Sequence, residues 1–143
     1  MPLITRWYIR SSFLYLIASL LAGLLIALRS ALNLPAVFGV MGPVYLHLFL
    51  VGWVTQLIFG VIFWLFPKPQ TEIPYWERVG WIVWGLLNTG LLLRVVAEPP
   101  AVMQPRGVWG WMLVASAVLQ WLAGIGLIAI VWPRAYTRDR RRR

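Results

Sequence analysis

Cysteine is absent from this 143-residue chain, histidine occurs once, and Asp and Glu together number four. Each shortage removes a class of chemistry. Without cysteine there are no disulfides, thiolate zinc sites, iron–sulfur clusters, thiol nucleophiles or covalent CxxCH haem attachments. One histidine cannot build a multi-histidine metal centre. The four acids (Glu72, Glu77, Glu98 and Asp139) are too few and scattered for paired-carboxylate catalysis. Charge as a whole is scarce, at 12% of residues against about 25% in soluble domains. Apolar residues fill the gap at 61%. That balance argues against a soluble globular domain and against disorder.

The apolar residues fall into four runs free of Asp, Glu, Lys and Arg, at 11–28, 30–67, 79–93 and 107–133. A membrane helix needs about 20 mostly apolar residues rising 1.5 Å each. The runs predict helices at 12–32, 43–66, 78–97 and 108–132. Proline and glycine mark the gaps: Leu34-Pro35, Met41-Gly42-Pro43, Pro67-Lys68-Pro69, Pro74, Pro99-Pro100, Pro105 and Pro133. The expected fold is all-α, a four-helix transmembrane bundle forming one integral membrane domain over 1–143. A short basic tail occupies 134–143. The first run is expected to stay as a helix, since it is long for a signal core and no small-x-small cleavage site follows it near Arg29.

The +9 net charge resolves into topology. With four spans, both termini and the second connection share one side. That side collects ten cations: Arg6, Arg10, Lys68, Arg78, Arg134, Arg138, Arg140, Arg141, Arg142 and Arg143. The other side holds three, Arg29, Arg94 and Arg106. The positive-inside rule then predicts cytoplasmic termini, in a bacterial or archaeal plasma membrane. The Arg138–Arg143 run reads as an anchor at anionic headgroups rather than a nucleic-acid contact. Tryptophans 7, 64, 76 and 132 fall near the inner interface and 109 and 111 near the outer, while 53, 84 and 121 lie deeper and read as core.

Small and polar residues mark helix contacts in lipid. Each helix carries such a stripe: Ser19, Gly23 and Ala27; Gly52, Gln56 and Gly60; Gly85 and Thr89 beside Asn88; Ser116, Gln120 and Gly124. If the stripes face inward, a Gln56–Gln120 hydrogen bond is expected.

One residue could carry chemistry. His47 lies 20 residues before Pro67, about 30 Å of helix, which sets it one to two turns below the outer surface. An ionisable residue in a span is a functional candidate by default. Neutral imidazole is a good axial ligand for haem iron. The outer arginines Arg29, Arg94 and Arg106 could meet propionates, with Glu98 as the i+4 partner of Arg94. The alternative is an interfacial histidine bonded to a backbone carbonyl.

The segment Tyr45-Leu46-His47-Leu48-Phe49-Leu50-Val51-Gly52-Trp53, running through Gly60 to Leu65-Phe66-Pro67, resembles the second helix of the haem-copper oxidase large subunit. The nitric oxide reductase and cbb3-type branch is nearest. The resemblance covers about 25 residues and implies that His47 is an axial ligand of haem b. The family subunit has about twelve helices and six ligand histidines. This chain has one histidine, so the resemblance does not extend to oxygen or nitric oxide reduction, and no enzyme activity is expected.

A sixth iron position would be open, held by Met41, or filled by the His47 of a second copy. On an ideal helix His47 shares a face with Val51, Val54, Ile58 and Leu65, about 180° from Gln56. That phase turns His47 outward and favours a homodimer with haem at its interface. The expected function is a haem b-binding membrane protein in electron transfer or gas sensing. The competing reading is a cofactor-free accessory subunit of a respiratory or photosynthetic membrane complex. A small transporter is a third reading, weakened by the scarcity of charge in the spans.

Overall fold

A computed structural model describes residues 1–65, 75–103 and 107–136, with side chains as far as residue 133. The described residues form four helices, each long and apolar enough to cross a membrane. Helix α1 spans Leu3–Leu28, α2 Gly42–Leu65, α3 Tyr75–Met103 and α4 Val108–Tyr136. A short 3-10 turn, Ala36–Val40, precedes α2. The all-α expectation holds.

Five boundaries differ from the sequence reading by three residues or more, and three of them have clear local reasons. Helix α1 starts nine residues early because Arg6 and Arg10 are four apart and share an exposed face, while Ile4, Thr5, Tyr8, Ser11 and Ser12 are buried. Helix α3 runs through Pro99 and Pro100. Prolines remove two N–H donors, but Ala97 and Ala101 are buried on either side, and packing carries the helix past the break. Helix α4 likewise passes Pro133. Beyond Leu28 the chain turns at Asn33, whose φ of 51° is the left-handed region. The Leu34 N–H bonds the Arg29 carbonyl at 3.0 Å, a six-to-one closure that satisfies a helix-end acceptor.

Helix α2 is not uniform. It is α-helical over Gly42–His47, π-helical over Leu48–Thr55 and α-helical again over Gln56–Leu65. Thr55 Oγ1 donates to the Leu50 carbonyl at 2.8 Å, five residues back, in step with the wide turn. Each π residue advances less than the 100° of an α-helix. The ideal-helix phase between His47 and Gln56 therefore does not apply.

Helices α1 and α2 pack along most of their length, α3 touches both, and α4 packs almost entirely on α3. Two faces of α3, roughly a quarter turn apart at 100° per residue, divide this work. One carries Gly80, Trp84, Asn88, Leu91 and Glu98 toward α1 and α2, and the other carries Val83 and Gly90 toward α4. An apolar cluster at one end gathers Ile4, Phe63, Trp76 and Ile130, which brings the start of α1, the end of α2, the start of α3 and the end of α4 together. Val44, Leu48 and Leu91 form a smaller cluster toward the other end.

Between the clusters lies a polar layer. Gln56 Nε2 donates to Ser11 Oγ and, at 3.4 Å, to Asn88 Oδ1. Tyr15 donates to Asn88 Oδ1 at 2.8 Å, and Trp84 Nε1 to Ser11 Oγ at 3.2 Å. Three helices are thereby tied at one level. The Gln56–Gln120 bond is not formed. Gln120 bonds Ser116 on its own helix at 3.1 Å, because α4 lies beside α3 and away from α2.

The expected contact stripes hold in part. Ser19, Gly52, Gln56, Gly60, Asn88 and Ser116 are buried. Ala27 and Thr89 are exposed, and Gly85 and Gly124 face open space. The close approaches fall instead at positions such as Gly90, where a Cβ would stand 3.0 Å from the Ser116 carbonyl oxygen. Trp84 packs edge-on against Trp7 and Trp81 at 5.8 and 5.9 Å, whereas Trp121, expected inside, is 64% exposed.

Candidate functional site

His47 is the last residue of the first α-helical part of α2, immediately before the π segment. Five residues from Gly42, it lies about 8 Å along the helix from its start. Glu98 lies five residues before the end of α3, so antiparallel packing brings the two to the same level. His47 Nδ1 stands 2.9 Å from the Pro43 carbonyl oxygen and 3.7 Å from Glu98 Oε2. A carbonyl can only accept, so Nδ1 carries the proton in this geometry. Nε2 is then the nitrogen with the lone pair. Among the described residues it makes no hydrogen bond.

Glu98 is 7% exposed. Its other oxygen, Oε1, faces Arg94 Nε at 3.5 Å, the i+4 pairing expected from the sequence. The carboxylate thus stands between a guanidinium on its own helix and an imidazole on the next. Neither Arg94 Nε nor Glu98 Oε2 completes a hydrogen bond of good geometry. The side chain of His47 remains 28% exposed, so the cluster opens on one flank.

The structure therefore brings together two of the four candidate site residues, His47 and Arg94, through a third that was assigned only to Arg94. The proximity of Glu98 to His47 joins positions 51 apart, and no spacing rule could have supplied it. Arg29 lies elsewhere, with its guanidinium against the backbone of Gly39. It lines an open groove with Ser30, Asn33 and Leu34. Arg106 lies outside the described residues. Met41 stands just before α2, where its carbonyl accepts the Tyr45 N–H at 2.9 Å.

The outward turn of His47 inferred from ideal phase is corrected by these contacts. Its ring faces α3, because the π segment resets the angle between it and Gln56. A second groove, lined by Leu20, Gly23, Leu24, Ile26 and Tyr45, lies on the other side of α2, since Tyr45 and His47 are about 200° apart. Among the described residues there is no cluster of three or more His, Cys, Asp or Glu side chains. No protein-family model, curated protein or solved structure matches the chain.

Proposed function

We propose that the chain is an integral membrane protein, with cytoplasmic termini, that holds haem b through His47 and works in electron transfer or gas sensing. The observation that carries this reading is the 2.9 Å contact between His47 Nδ1 and the Pro43 carbonyl. Ligand histidines are oriented by a hydrogen bond from the nitrogen that does not bind metal. Here that bond exists within the first turns of α2, and Nε2 is left for iron. The bland alternative, a histidine satisfied by a carbonyl, uses the same bond. It leaves the lone pair on Nε2 without a role, and it does not account for the charged pair placed behind the ring.

The donor set fits one axial position. Bound haem supplies the electron-accepting or gas-binding centre, while the chain supplies ligation, orientation and an apolar surround. Arg94 is engaged by Glu98 and Arg29 lies away from His47 against Gly39, so of the three outer arginines Arg106 is the one left for a propionate. The second axial position is open or filled from a second copy, and the homodimer is retained as a proposal on that ground alone.

Purification from haem-sufficient cells tests the reading. A Soret band with reduced-minus-oxidised b-type peaks is expected, and His47→Ala should abolish it without dispersing the fold. About one haem for every two chains would support the shared arrangement, and one per chain the open one. A colourless preparation would overturn the haem reading. It would leave the accessory-subunit reading.

A further inference from the structure

We infer that Glu98 is a positioning residue for His47: its carboxylate polarises the Nδ1–H and makes Nε2 a stronger electron donor. This inference rests on the haem reading in so far as it concerns iron. Its basis is the arrangement on two helices. Nδ1–H donates to the neutral Pro43 carbonyl at 2.9 Å, and the Glu98 carboxylate oxygen stands 3.7 Å from the same nitrogen, beyond hydrogen-bond length but close enough for its charge to act on the ring. The carbonyl fixes the direction of the N–H. The carboxylate adds negative charge on the same side of the ring.

Glu98 is suited to that work because it is held in place and kept from water. Arg94 faces one oxygen at 3.5 Å and leaves Oε2 toward the imidazole. That oxygen is buried and completes no hydrogen bond of its own. A buried charge-bearing acceptor with an unmade bond is costly unless something positive approaches it. The only groups offering positive character to it among the described residues are Arg94 and the His47 N–H. Any positive charge gained at Nε2, on binding a metal ion, spreads over the ring to Nδ1 and is met by Oε2. Hydrogen bonding to the non-ligating nitrogen raises ligand basicity and is a recognised means of tuning a metal site.

The sign of the effect follows. The oxidised haem core carries one more positive charge than the reduced one. A carboxylate behind the ligand stabilises the oxidised form and lowers the reduction potential. Removing its charge while keeping its shape raises the potential.

Two measurements on wild type, Glu98→Gln and Glu98→Asp test this. The chain has a single histidine, so 15N-histidine labelling gives the ring signals of His47 alone, with or without haem. The Gln variant should shift the ring nitrogen signals of the haem-free protein, and the Asp variant should return them toward wild type. In the haem-loaded protein the Gln variant should raise the midpoint potential, with the Asp variant closer to wild type. Ring signals identical in wild type and the Gln variant would overturn the inference, whether or not haem is bound. So would a potential in the Gln variant equal to or below that of wild type. A protein that takes up no haem but shows the ring shift would overturn the haem reading and leave the Glu98–His47 coupling standing.

Discussion

Gln56 shows what one residue can settle inside an apolar body. Its side chain is fully buried, and its amide nitrogen reaches α1 and α3 at once. Interhelical hydrogen bonds in membrane proteins average about 0.6 kcal/mol and reach about 1.7. Gln56→Leu should therefore destabilise the fold by roughly 1–2 kcal/mol, read from denaturant unfolding in detergent by tryptophan fluorescence. An unchanged midpoint would mean that the layer does not tie the helices. Gly52 is the steric counterpart. A Cβ there would stand 2.7 Å from Tyr15 Cβ and 2.9 Å from Leu91 Cδ2. Gly52→Ala should cost about 1–3 kcal/mol by overpacking.

At the scale of the element, α2 decides the geometry of the site. Its π segment lets His47 face Glu98 while Gln56, nine residues on, faces Ser11 and Asn88. Local unwinding of this kind recurs at functional sites in α-helices. Deleting Leu50 should tighten the segment and rotate its two ends against each other. One of the two contacts must then break. Loss of the folded species on size-exclusion chromatography, or loss of the His47–Glu98 coupling in the labelled ring signals, is the expected result. Retention of both would show that the π turn is not what reconciles them. In α3, Arg94 and Glu98 lie just before the proline pair, which the helix passes without a break, so the candidate site lies between the π segment of α2 and a continuous α3.

At the scale of the whole molecule, the asymmetry of charge sets the expected orientation. The apolar cluster that joins Ile4, Phe63, Trp76 and Ile130 shows that both ends of the helical body share one end with the second connection. The sequence puts ten of the thirteen cations there. A chain without cysteine is ready for accessibility labelling. A cysteine introduced at Ser30 should react with an impermeant thiol reagent on intact cells. One introduced at Thr137 should react only after the membrane is opened. The reverse pattern would overturn the expected orientation.

The helices were legible because a helix long and apolar enough to cross a membrane needs a continuous run of fixed length and composition, and both can be counted along the chain. The inward direction of Gly52, Gln56, Gly60 and Ser116 was legible for the same kind of reason, since small and polar groups avoid lipid. The helix ends were legible only to a few residues. Arg6 and Arg10 look like the edge of a span when charge is counted, yet on a helix they need only share an exposed face. What the sequence could not settle was which helix lies beside which. Gln56 and Gln120 look equivalent, but their distance depends on where α4 sits around α3. The pairing of His47 with Glu98 depends on the register of two antiparallel helices and on a π turn that changes the angular step. Both are outcomes of packing summed over the whole body. Residue identity along the chain determined that a charged cluster could exist near one end. Only the tertiary structure decided that its carboxylate stands behind the histidine.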